Sequence, residues 1–374
     1  MKMEKNRAFG QVITGLIAQK NLSKEEAYDA FSMVLNNEVS DMQQGAFLAA
    51  LTAKGETADE VAGGWQAIYE LDTEKVVLAD PDGVVDNCGT GMDTFKTFNI
   101  STAAAIVAAG GGVKVARHGA RAISSICGTV DMAEALGVDV ECSVEVVANS
   151  IEQAGLGLFN GMSPRVHPMA LGRILSQIHF GSPLNIAASL ANPALPKIGV
   201  RGVYAQNLLL PVARVMQSIG YTDALVVYGS INGSRQGMDE ASVCGTTNCA
   251  RLENNEIREF TFEPEDCGLP THSCQELSAD TNIADAAVKM VSLLGGHVPG
   301  ARTDAVLLNA ALIFLVRGTV KTLKEGVEQA REVLAGGKGM ETLDRWVTVQ
   351  NMTPDAGLKK LHNLQQEAAA CRNC

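Results

Sequence analysis

Charge is scarce in this chain of 374 residues, and basic charge is the scarcer kind. Asp, Glu, Lys and Arg together make up 19%, with 42 acids against 30 Lys and Arg, for a net charge of −12 at pH 7. That balance argues against a nucleic-acid surface and against attachment to an anionic membrane, so neither partner is expected. Long apolar runs are also missing. The longest stretch near the C-terminus, Ala305 to Val316, is interrupted by Asn309 and is too short to span a bilayer. Met1 to Gln11 is polar and mixed in charge, without the apolar core of a signal peptide. Low-complexity tracts and internal repeats are absent, and no residue set suggests a hydrolytic triad. At 46% hydrophobic residues the chain can bury a sizeable core, which excludes disorder for most of it. Nine cysteines, an odd number without a secretory signal, read as reduced thiols of a cytoplasmic protein. Cys371 and Cys374 have metal or redox spacing but stand alone at a chain end.

What is present falls into two textures. Over residues 1–75 apolar residues recur at three- and four-residue steps, as in Phe9, Val12, Ile13, Ile17 and in Ala27, Ala30, Phe31, Val34, Leu35. Ser23 with Glu26 and Thr57 with Glu60 are capping boxes. A small all-helical domain is expected there, with a helical return at about 168–192. After the turn Asp80-Pro81-Asp82-Gly83, short apolar runs alternate with helical patterns over 76–167 and 193–350. The expected fold is α/β: a large domain with a mainly parallel central sheet, followed by a polar C-terminal tail over 351–374.

Three segments carry the chemistry. The first runs from Asp86 through Gly89-Thr90-Gly91, Asp93 and Thr97 to Asn99-Ile100-Ser101-Thr102. Glycines let a ligand approach the backbone, and the helix start that follows supplies free amides that favour an anion. Hydroxyls there can hold a hydrated Mg²⁺ beside a diphosphate. The second, Lys114 to Gly128, brings Arg117, His118, Arg121, Ser124 and Ser125 to the end of another strand. Two such strand ends side by side suit the open end of an α/β sheet. The third, Gly237-Met238-Asp239-Glu240, sets adjacent carboxylates in a loop, an arrangement suited to Mg²⁺.

In this order and combination the segments resemble the signatures of the anthranilate phosphoribosyltransferases. Gly89 to Asp93 and Asn99 to Thr102 are similar to GTGGD and NIST. Arg117-His118-Gly119, Arg121, Ser124-Ser125 and Asp131 are similar to KHGNR and the SS…GSAD run. Asn192-Pro193-Ala194 matches an NPA, and Asp239-Glu240 the paired-carboxylate metal motif. The likeness covers roughly residues 5 to 345 and includes Ser40-Asp41, Gln43 and Lys54-Gly55-Glu56-Thr57. The resemblance implies a homodimer and a donor site in the cleft between the domains. It implies contacts from Gly89, Thr90, Gly91, Asp93, Thr97, Asn99, Ser101, Thr102, Arg117 and Ser125 to phosphoribosyl pyrophosphate. Arg117 replaces a lysine. Ser101, Asp239 and Glu240 would hold Mg²⁺, while an aromatic amine, anthranilate first, attacks C1 of the ribose; no side chain need act as nucleophile.

The departures gather on the acceptor side, where the resemblance implies roles for His118, Ala120, His167 and Arg173. Ala120 replaces the asparagine of KHGNR, Met92 replaces a glycine, and the arginine-bearing PVRREL segment is replaced by Leu171 to Ile178. Arg173, about one turn away, could reach the same cleft as a substitute cation for the anthranilate carboxylate, or be a plain surface cation. Three alternatives stand beside anthranilate transfer: a different aromatic or heterocyclic amine, a nucleoside phosphorylase, and a non-catalytic binding paralogue.

Overall fold

The computed structural model describes residues 2–91, 93–122, 126–296 and 298–372. Its first four helices, Lys2–Ile17, Lys24–Leu35, Asp41–Lys54 and Ala58–Leu71, form the helical unit. Both capping boxes are made. Glu26 N donates to Ser23 Oγ at 3.2 Å and Ser23 N to Glu26 Oε2 at 2.8 Å, and Thr57 and Glu60 repeat the exchange. The predicted stripe Ala27, Ala30, Phe31, Val34, Leu35 is buried. Helices Leu171–Ile178 and Pro183–Leu190 return to this unit, and their Leu171, Ile174, Leu184 and Leu190 share its core.

The remainder is built on one sheet. Its strands are β1 (Val84–Gly89), β2 (Lys114–Gly119), β3 (Leu156–Asn160), β4 (Ile198–Gly202), β5 (Asp223–Ser230), β6 (Gly237–Met238), β7 (Thr247–Glu253) and β8 (Glu256–Phe262). They lie in the order β3-β2-β1-β4-β5-β7-β8, with β6 beside β5. The five strands from β3 to β5 are parallel; β6, β7 and β8 are antiparallel additions. Strand residues alternate between faces with a period of two. In β5, Leu225 and Val227 face the large core under helices Ile100–Gly110 and Ala301–Arg317, while Ala224 and Val226 face the core of the helical unit. The helical unit is thus packed on one face of the sheet. From β1 the chain winds outward to β2 and β3, then restarts at β4 on the other side. The order reverses between β1 and β4, and ligand crevices form at such a point, at the carboxyl ends of the strands.

The expected polar tail over 351–374 is instead a 19-residue helix, Pro354–Arg372. Leu361 and Ala368 are buried in the large core, where the helix meets Ile283–Leu294 and Lys338–Val349. Its apolar stripe is thin and diluted by Lys, Gln and Glu, so composition outweighed period in the sequence reading. Leu361→Ala is expected to cost about 2–5 kcal/mol in urea unfolding, as a truncated core leucine does. A change within measurement error would separate this helix from the folding unit. Eight cysteines are described and all are free; Cys371 is exposed, and Cys374 lies outside the described residues.

Candidate functional site

The site begins where two strands end in glycine. A Cβ on Gly202, at the end of β4, would stand 1.6 Å from Asp239 O, and one on Gly89, at the end of β1, 2.2 Å from Asp239 Oδ2. Glycine at both positions lets the segment after β6 settle on the strand ends, and at Gly202 the contact is with backbone. Thr90 N donates to Gly202 O at 2.9 Å, and Gly91 N to Asp239 Oδ2 at 2.8 Å. Glu240 Oε1 accepts from Ser101 N at 3.1 Å and from Ser101 Oγ at 2.6 Å, in the first turn of helix Ile100–Gly110. Free amides and the helix dipole favour an anion there. The paired carboxylates of the third segment are therefore anchored on the glycine loop and helix start of the first.

Their electrostatics are strained by burial. Burial pushes the Glu240 carboxyl up to about 8, with Asp239 as the next cause. Asp93 rises to about 6 through burial and Asp239, although Lys96 Nζ lies 3.0 Å from its Oδ1. Asp239 is also raised by burial. Carboxylates held this close need positive charge to ionise together. Among the described residues no three of His, Cys, Asp and Glu converge into a closed metal cage. The donor set of Asp239, Glu240 and Ser101 is all oxygen, which fits Mg²⁺; that ion keeps waters and phosphate oxygens and takes only one or two carboxylates.

The donor residues expected from the sequence divide into two groups. Gly89, Thr90, Gly91, Asp93 and Ser101 are brought together around Asp239-Glu240. Thr97 makes a single bridge to Ser278, and Asn99 Nδ2 donates to Cys127 O at 3.2 Å, tying the first loop to the second. Arg117 and Thr102 are placed differently from the expectation. Both are buried, and Arg117 Nη1 donates to Thr102 Oγ1 at 2.6 Å while its Nε donates to Asn87 O at 3.0 Å. Arg117 clamps the helix start against β1 from inside the layer, a direction that motif position alone does not reveal. Ser125 lies outside the described residues.

On the acceptor side, the expected cation Arg173 has protein partners, and so does Arg121 of the second segment. Arg173 donates to Gln44 Oε1 and to Val34 O, both at 3.0 Å, in the helical unit, so it is committed to packing rather than offered to a ligand carboxylate. Arg121 Nη1 lies 3.1 Å from Asp131 and 2.7 Å from Glu134, and Ala120 precedes it in the same loop. His118 and His167 are buried and face each other, Nε2 to Nε2, at 3.1 Å. His167 Nδ1 lies 2.7 Å from Asp72 O, which makes it a donor. Burial lowers both imidazoles, His118 to about 3, with His167 as its next cause. Two neutral rings bonded to each other carry no charge for a carboxylate.

One buried group escaped the sequence reading. Arg201 in β4 donates through Nη2 to Asp86 Oδ2 in β1 at 2.8 Å, with both side chains 1% exposed. Tyr221 OH donates to the same oxygen at 3.2 Å. The available signal was a lone arginine inside the apolar run Ile198 to Val203.

Comparison with known proteins places the chain in a family. Residues 81–340 match the model of the glycosyl transferase family a/b domain, and residues 10–71 that of the same family's helical bundle domain. An anthranilate phosphoribosyltransferase from Methanothermobacter marburgensis is 35% identical over 354 residues, covering 92% of this chain and 99% of that one. The Persephonella marina enzyme is 37% identical, covering 87% and 94%. The crystal structure of the Thermus thermophilus enzyme superposes with a TM-score of 0.80 at 32% identity, covering 90% of this chain and 98% of that one. With glycine-set carboxylates at the switch point and these relatives over nearly its whole length, the chain is an enzyme of the phosphoribosyltransferase type and belongs to the anthranilate phosphoribosyltransferase family.

Proposed function

We propose that the protein transfers the phosphoribosyl group of phosphoribosyl pyrophosphate to an aromatic amine, with Mg²⁺, releasing pyrophosphate. The observation that carries this reading is the Asp239-Glu240 pair, bonded at once to Gly91 of the glycine loop and to Ser101 at the helix start. A yeast anthranilate phosphoribosyltransferase of the same fold has been solved with phosphoribosyl pyrophosphate and Mg, at 22% identity and a TM-score of 0.80. Asp239, Glu240 and Ser101 would hold Mg²⁺, which when bound offsets the charge of the leaving diphosphate. Gly91 N and Ser101 N, held here by Asp239 and Glu240, would turn to diphosphate oxygens once those carboxylates face Mg²⁺. Asn99, through Cys127 O, keeps the two loops in register. Asp93 and Lys96 form the remaining charged edge of the loop. The chain supplies no nucleophile; it holds donor and amine in line and excludes water. Anthranilate is the acceptor in the names of the relatives and is the first amine to test. A homodimer belongs to the proposal, with Ile17 and Met42, both exposed on the helical unit, as candidate contacts. No helix among the described residues is long and apolar enough to cross a membrane, and a cytoplasmic setting is proposed.

The test is pyrophosphate release from phosphoribosyl pyrophosphate and Mg²⁺ with anthranilate and a panel of aromatic amines. Glu240→Gln is expected to lower kcat by roughly 100-fold with the fold intact, the scale seen when one charge-stabilising group is removed. Undiminished turnover in that variant, or no release with any amine, sinks the reading. Phosphorolysis of nucleosides without metal would favour the phosphorylase instead.

A further inference from the structure

The glycine strand ends are one of two supports of the donor loop. The second half of that loop, residues 93–99, leads to the helix start at Ile100 and pairs with a segment far along the chain. Thr97 forms an antiparallel bridge with Ser278. Phe98 N donates to Leu277 O at 3.1 Å, and Ala279 N to Lys96 O at 3.0 Å. Phe98 and Leu277 are both buried. Residues 276–280, which no motif marks, therefore fix the path of the chain toward Asn99 and Ser101.

Arg302 gathers that segment. Its Nε donates to Glu276 O at 3.2 Å, and its Nη2 to Ser278 O at 2.7 Å and to Asp280 Oδ1 at 3.1 Å. Its Nη1 donates to Asp280 Oδ2 at 2.8 Å. The same guanidinium lies 4.9 Å from the centre of the Phe98 ring, within the range of a cation–π contact. One side chain thus touches both halves of the pairing.

This placement runs against the local field. Arg302 is the second residue of helix Ala301–Arg317, where the helix dipole disfavours a cation. Neutralising Asp280 does not by itself call for an arginine, because Lys289 Nζ already lies 2.6 Å from Asp280 Oδ1. What Lys289 cannot do is span a carboxylate and two carbonyls at once. A planar fork of five donors does so, whereas an ammonium is a single point of charge.

We propose that Arg302 is a positioning residue for donor binding. It holds residues 276–280 against 96–98, so that the loop delivers Asn99 and Ser101 to the diphosphate, without itself touching substrate. The proposal rests on the transferase reading and adds to it a determinant of donor affinity that lies outside the three motif segments.

The test sets Arg302→Lys and Arg302→Met beside the wild-type chain. Steady-state pyrophosphate release is measured with phosphoribosyl pyrophosphate, Mg²⁺ and anthranilate, together with the thermal midpoint and substrate-free amide hydrogen exchange. Arg302→Lys keeps the charge and loses the fork. Its donor KM is expected to rise about tenfold, the scale of one charged hydrogen bond, with the acceptor KM and the thermal midpoint near wild type. Arg302→Met should show at least the same rise in donor KM, with a lower midpoint. In both variants the amides of Phe98 and Ala279 should exchange faster while those of β1 and β4 keep their protection. A wild-type donor KM in Arg302→Lys, donor and acceptor KM rising together, or unchanged exchange at Phe98 and Ala279 overturns the proposal. Faster exchange in the variants but no pyrophosphate release by the wild type would sink the transferase reading while upholding Arg302 as the holder of the loop. Release by all three proteins at one donor KM would do the reverse.

Discussion

Gly202→Ala is expected to reduce turnover about 100-fold, although residue 202 contributes no side chain to any ligand. The added Cβ would fall 1.6 Å from Asp239 O, a backbone atom, so rotation of a side chain cannot relieve the clash. The strand end or the Asp239-Glu240 segment must move, and an ångström of displacement at a positioning site is worth about two decades in rate. Gly202 O also receives Thr90 N, so the glycine loop shifts with it. The loss should appear in kcat and in Mg²⁺ affinity. The far side of the sheet is untouched, so the circular dichroism spectrum should be native. Wild-type activity in Gly202→Ala would mean that the carboxylate segment is not held by close approach to β4. Gly89→Ala makes a milder companion, because its Cβ meets the side-chain oxygen Asp239 Oδ2, which can swing aside.

The second large effect concerns stability. Arg201→Met should destabilise the protein by about 3–5 kcal/mol, the usual cost of leaving a buried charge unpaired. On Oδ2 Asp86 would keep the Tyr221 hydroxyl but no cation. Asp86→Leu together with Arg201→Met should recover most of that loss, since desolvating the pair offsets much of its attraction. The sign with pH follows from the direction of the shift. Burial raises the Asp86 carboxyl above its unfolded value even with Arg201 present, and removing Arg201 raises it further. A raised folded value means the penalty is absent below the unfolded value near pH 4 and grows as pH rises through the folded one. Urea unfolding should therefore show a larger deficit at pH 7 than at pH 5. An equal deficit at both would mean that Asp86 is already ionised in the folded variant throughout that range.

Sequence alone determined the two textures and the order of the motifs. Capping boxes, three-to-four spacing and strand-length apolar runs are local properties, and they marked the helical unit and the alternation of strands and helices. The same locality explains why Gly89, Asp93, Ser101 and Asp239-Glu240 could be named together: each stands at or just past the end of a strand or at a helix start. The helix Pro354–Arg372 was hidden because its buried stripe is a minority of a polar segment, and only contact with a finished core selects that face. Tertiary structure alone decided directions. A motif places Arg117, Thr102 and Arg173 in a neighbourhood, but packing turned the first two into the sheet layer and bound the third to Gln44 and Val34. It also set Arg302 against the donor loop and made the buried pair Asp86–Arg201, whose members are 115 residues apart. The physical reason is one of range: propensity and capping act over a few residues, whereas burial and pairing of charge depend on which surfaces the chain brings together.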